Sequence, residues 1–143
     1  MYASMSTPFG RSRTPVNAYR MVGVETGVVT GSPHQLVAML FEGFMDSVAQ
    51  ARGALAQGHL EAKGKAIGRA VRIIEEGLKA GLDVQGGGQL AVDLRDLYDY
   101  VTLRLTQANL RNDAKLLEEC RALIEPLQSA WVSIGPQVAE ARK

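Results

Sequence analysis

The run TGSPHQLVAMLFEGFMDSV at residues 30–48 constrains the chain more than any other stretch. Ser32 offers a hydroxyl at a helix N-cap, and Pro33 then falls at the first helical position, where a missing N–H costs nothing. Gln35, three residues after Ser32, is spaced to return its side chain to the cap backbone and complete a capping box. Beyond it, at about 100° per residue, Leu36, Val37, Leu40, Phe41, Phe44, Met45 and Val48 spread over roughly half the cylinder. A helix apolar over that width needs more than one partner to cover it. It is the central helix around which the other segments must be arranged.

That first helix should run over 32–57 and stop at Gly58. A short turn at Gly58 and His59 leads into a second helix over 60–82. Its seam is Ile67, Ala70, Val71, Ile74, Leu78 and Leu82, with Ala66, Ile73 and Gly77 beside it. Gly86, Gly87 and Gly88 make the clearest break. A third helix over 89–112 carries Leu90, Leu94, Leu97, Val101, Leu105 and Ala108 on one face, and Val92, Leu103 and Leu110 nearly opposite. Either Asn112 or Asp113 caps a fourth helix, striped by Leu116, Cys120, Leu123, Leu127, Ala130 and Ile134 and flanked by Trp131. Pro126 lies inside that stripe and should kink the helix or divide it in two. Four long helices with mostly short connections, and no strand alternation, predict an all-α fold: an antiparallel up-down four-helix bundle over 32–134. Residues 1–16, with Arg11 and Arg13 and no acid, read as a disordered tail. Residues 17–31 read as a flexible N-terminal arm, holding a short extra helical turn or an extended run, because Gly23 and Gly27 interrupt its apolar residues. Residues 135–143 read as a frayed C-terminus.

Composition excludes several function classes. A net charge of +1 creates no field that would favour nucleic acid or an acidic membrane. No apolar run approaches the roughly 20 residues of a membrane span, and no apolar segment follows the N-terminal arginines as in a secretory signal. Cys120 is the only cysteine and lies on an apolar stripe, so it reads as a small core residue in a cytoplasmic protein. His34 and His59 are the only histidines; one opens a helix and the other sits in a turn, and both read as polar surface residues. Neither completes a Glu-x-x-His pair, a zinc set or a mid-helix phosphotransfer site. The glycines at 86–88 lack the Lys-Ser/Thr pair of a phosphate loop, and Asp93, Asp96 and Asp99 read as a solvated face. The expectation is no enzyme, no cofactor and no metal. The informative surplus is apolar: Ile73, Val92, Leu103 and Leu110 exceed what one core requires. They are either scattered exposure or the lining of a groove that accepts amphipathic helices.

Several short runs together carry a resemblance: Ala18-Tyr19, VVTGSPHQLVAMLFEG at 28–43, KAGLD at 79–83, Gly87-Gly88, LYDY at 97–100, ANLRND at 108–113 and Ala130-Trp131. In this order and spacing, over roughly 17–134, the chain resembles the flagellar secretion chaperone FliS family, the export chaperones for flagellin. The resemblance implies a non-catalytic cytoplasmic four-helix bundle, monomeric or weakly self-associating. Its partner would be the disordered C-terminal region of flagellin, which folds into helices around the bundle and is presented to the flagellar type III export gate. A second flagellar regulatory protein is a further implied partner. Tyr19 matches an aromatic of the family's N-terminal arm and is either a gating or contact residue for flagellin or a simple anchor. With Ile73, Val92, Leu103 and Leu110 it forms the candidate partner-binding set. Ser32, Pro33, Leu97, Tyr98, Asn109, Asp113 and Trp131 are expected to be structural. Gly31 stands where the family commonly has Ala, and Pro126 is unusual in its last helix. Two other classes compete: a helical-bundle enzyme or phosphotransfer module, and a scaffold that binds another flagellar protein.

Overall fold

Ser32 starts the first helix, α1 (Pro33–Ala56), by a complete capping box. The Ser32 Oγ accepts from the Gln35 N–H at 3.2 Å, and Gln35 Oε1 accepts from the Ser32 N–H at 3.1 Å. The computed structural model describes residues 32–135, so the expectations for 1–31, Tyr19 among them, and for 136–143 lie outside the described residues. Helix α1 ends at Gln57, and Gly58 turns the chain with a φ of 75° that a side chain rarely adopts. Helix α2 (Leu60–Arg72) passes directly into a π-helical segment, Ile73–Lys79. Helix α3 (Gly88–Arg111) ends with Asn112 in the left-handed conformation, at φ 51° and ψ 50°. Of the two cap candidates it is Asp113 that opens α4 (Ala114–Ser133), its carboxylate accepting from the Lys115 N–H at 2.9 Å.

Helix α1 packs on α2 and α4, and α3 packs on the same two. Consecutive helices are therefore neighbours around a square, and the short links make them antiparallel, which is the up-down four-helix bundle. Among the described residues there is no strand. Leu40, Phe44 and Val48 of α1 meet Ile67, Ile74, Val101, Leu105, Leu117 and Ile124 in one continuous core. Cys120 belongs to it; burial pushes its thiol up to about 12, so it stays protonated and inert. Among the described residues Lys63 is the buried cation. It is 5% exposed and donates to both the main-chain and side-chain oxygens of Asn109, at 2.9 and 2.6 Å. Asn109 thus ties the end of α3 to the start of α2.

Four expectations need correction. Ile73 is not a surface residue but is fully buried. The buried arc of α2 centres on Ala70; at about 100° per residue Ile73 lies only about 60° from that centre, whereas Val71 lies about 100° away and is half-covered. The second helix is not α-helical throughout, because its last seven residues switch to the wider i→i+5 turn, which brings Ile73, Ile74, Gly77 and Leu78 to the buried side together. Pro126 does not divide the last helix. It sits exposed within α4, which runs unbroken from Ala114 to Ser133. Leu90 lies on the inward face of α3 yet is 68% exposed, since no described residue covers that end of the bundle.

Candidate partner-binding groove

The start of α1, the end of the π-helical segment, the start of α3 and the end of α4 meet at one end of the bundle. They enclose an open cavity of about 490 Å³ with an almost wholly apolar lining. Val37 and Phe41 form its α1 wall, and Leu127, Trp131 and Ile134 its α4 wall. Leu90, Leu94 and Tyr98 line it from α3, and Leu78 and Leu82 close it from the chain after α2. Its size falls within the roughly 300–1,000 Å³ of ordinary binding pockets. Burial pushes the Tyr98 phenol up to about 12; Asp83 is the one charged residue of the lining.

Polar links between helices tie the elements together. Lys79 bonds Asp99 at 2.6 Å and Glu75 at 3.3 Å, and Thr102 donates to Glu75 at 3.0 Å. Asp99 therefore links the π-helical segment to α3 while staying exposed like Asp93 and Asp96, as expected of a solvated face. Between α3 and α4, Glu119 accepts from Tyr100 at 2.6 Å and from Arg104 at 2.8 Å, which holds its carboxyl below the ordinary carboxylate range. Such half-exposed pairs contribute little individually, about 0.2–1 kcal/mol. They fix the register of the walls.

The expected binding residues do not converge on this cavity. Leu103 and Leu110 are 52% and 78% exposed on the outer side of α3, with the half-buried Val92 in the same line. Ile73 is in the core, and Tyr19 is outside the described residues. Instead Tyr98 and Trp131, expected to be structural, are cavity walls, while Leu97 packs partly buried against the core. Sequence periodicity marked Val37, Phe41, Leu90, Leu94, Leu127 and Ile134 as inward-facing but not Tyr98 or Ala91, and it could not reveal that their end of the bundle is open. His34, expected on the surface, stacks on Trp131. His59 stays exposed and makes no side-chain cap bond. Among the described residues no group of three or more His, Cys, Asp or Glu side chains could hold a metal ion, and no helix is long and apolar enough to cross a membrane.

A bundle that opens a mostly apolar cleft between four helix ends has the form of a module that seats a helix of another polypeptide. The family model for "Flagellar protein FliS" matches residues 15–138. The chain is 48% identical over 124 residues to the flagellar secretion chaperone FliS of Salmonella typhimurium, covering 87% of this chain and 92% of the relative. It is 41% identical over 117 residues to the flagellar secretion chaperone FliSB of Pseudomonas aeruginosa, covering 82% and 92%. To the flagellar secretion chaperone FliS of Escherichia coli K12 it is 37% identical over 131 residues, covering 92% and 90%. The chain belongs to the FliS family of flagellar proteins.

Proposed function

We propose that this protein is a cytoplasmic, non-catalytic chaperone that binds the disordered C-terminal region of flagellin. It keeps that region from polymerising prematurely and delivers it to the flagellar type III export apparatus. The open apolar cavity at the bundle end carries this reading, together with the names of the relatives. A disordered segment with apolar residues three and four apart gains a helix and a buried face when it enters the cleft. From there it continues along the outer side of α3, over the half-buried Val92 and the exposed Leu103 and Leu110, a line of about 27 Å. Folding on binding is slow to repay unless a large surface is buried, on the order of 1,000–3,000 Å², and a cleft plus a long track supplies it. The test is calorimetric titration of the full chain with the C-terminal segment of flagellin from the same organism, at several temperatures. Near one-to-one binding with a strongly negative heat capacity change is expected; absence of heat and of any complex at micromolar concentrations would refute the flagellin reading.

A further inference from the structure

The last two turns of α4 are held to the bundle by few groups. From Pro126 onward only Leu127 and Trp131 pack against the core, while Ser129, Ala130, Val132 and Ser133 are exposed. Pro126 also removes a bond from the helix ladder at the start of that stretch. Trp131 is in turn gripped by His34 from the first turn of α1, 97 positions away in the chain. The imidazole Nε2 lies 2.6 Å from the Trp131 carbonyl, and since a carbonyl can only accept, Nε2 carries the hydrogen and donates it. The indole Nε1–H donates back to the His34 carbonyl at 2.9 Å. The two rings stack with centroids 4.8 Å apart and planes within 7°. Gly135 approaches the imidazole so closely that an added Cβ would come within 2.7 Å of its Cε1. Each ring bonds the other residue's main chain, so rotation of either breaks its own link and the stack between them.

Trp131 is at the same time a wall of the apolar cavity, facing Val37 and Phe41 of α1. We infer that His34 is a positioning residue for the groove: by clasping Trp131 it fixes the end of α4 and so sets the separation of the α1 and α4 walls that receive a partner helix. A seat formed in advance removes an ordering cost that would otherwise fall on the binding step. The identity of the bound helix rests on the flagellin reading above; the clasp itself is a property of this chain alone.

The experiment has two arms, run on the full chain as wild type, His34→Ala, His34→Gln and Gly135→Ala. The first needs no partner. Amide hydrogen exchange over residues 127–134 should quicken about tenfold in His34→Ala, the equivalent of one lost hydrogen bond of about 1.4 kcal/mol, with exchange in α3 unchanged. Gln, which keeps an N–H to offer the Trp131 carbonyl, should recover most of the protection. Gly135→Ala should lose it, because the new methyl displaces the ring. Unchanged exchange in both His34→Ala and Gly135→Ala overturns the inference. The second arm titrates each variant with the C-terminal flagellin segment, well below its melting temperature. His34→Ala should bind about tenfold more weakly than wild type and His34→Gln nearly normally; equal binding by wild type and His34→Ala overturns the positioning role. If wild type itself does not bind, the flagellin reading falls, and the exchange arm still decides whether the clasp orders the wall.

Discussion

Leu90 separates folding from binding more cleanly than any other cavity residue. It lines the cavity but is 68% exposed, so the fold itself covers only about a third of it. Full burial of a leucine side chain is worth about 1.5–3 kcal/mol, which leaves roughly 1–2 kcal/mol to be gained when a partner helix covers the rest. We therefore expect Leu90→Ala to weaken flagellin binding by about 5- to 30-fold. Stability should change by less than about 0.5 kcal/mol, the ordinary range for an exposed substitution. The assay pairs calorimetric titration with a thermal melt followed by circular dichroism. Leu60→Ala supplies the control: Leu60 is 51% exposed, opens α2 and lies far from the cavity, some 30 Å along the helix from the π-helical end. Equal affinity losses for the two variants, or none for Leu90→Ala, would refute the argument that the cavity is where the partner's apolar face is buried. A large fall in melting temperature for Leu90→Ala would show that another part of the chain already covers it.

The remaining expectations are independent of one another. Ile73→Ala empties a fully buried site between α1 and the π-helical segment and should cost about 2–5 kcal/mol by denaturant titration, leaving flagellin affinity intact where the variant is folded. Retention of full stability would mean that Ile73 is not in the core. Glu119→Gln tests the α3–α4 link through pH. Because Tyr100 and Arg104 depress the folded carboxyl, its stabilising contribution is present above the ordinary carboxylate range and is lost as pH falls through the depressed value. The gap in melting temperature between wild type and variant should hold above the ordinary carboxylate range and shrink as pH falls below it; a gap that persists undiminished in strong acid would deny the depression. Tyr19→Ala should change flagellin affinity by about 1–2 kcal/mol, as truncation of an interface aromatic does, with little effect on melting temperature. Unchanged affinity would remove Tyr19 from the binding set.

The fold was legible because its signals are local. The Ser32–Gln35 capping box, the stop at Gly58 and the Asp113 cap each depend on residues within one turn, and all three form as their spacing requires. The core face of α1 likewise follows from periodicity, with Leu36, Leu40, Phe41, Phe44 and Val48 all buried. The groove was not legible, because it is made by what is missing. Leu90 and Leu94 have the pattern of core residues, and only the placement of four helix ends leaves them facing a cavity. Ile73 was misread for a related reason: a seam drawn through Val71 rather than centred on Ala70 is off by about a sixth of a turn, enough to put a core residue on the surface. Lys63 and His34 were invisible in a different way. Their partners, Asn109 and Trp131, lie 46 and 97 positions away, and no local rule pairs them.

Trp131 is the chain's single tryptophan and stands in the cavity wall, so it reports directly on occupancy. The decisive measurement is its fluorescence during titration of the full chain with the C-terminal flagellin segment, with circular dichroism recorded on the same samples. Saturation near one-to-one, a blue-shifted and less quenchable emission, and helix beyond the sum of the two components are expected if a flagellin helix is seated in this cleft. Binding that leaves Trp131 emission and total helicity unchanged would contradict it.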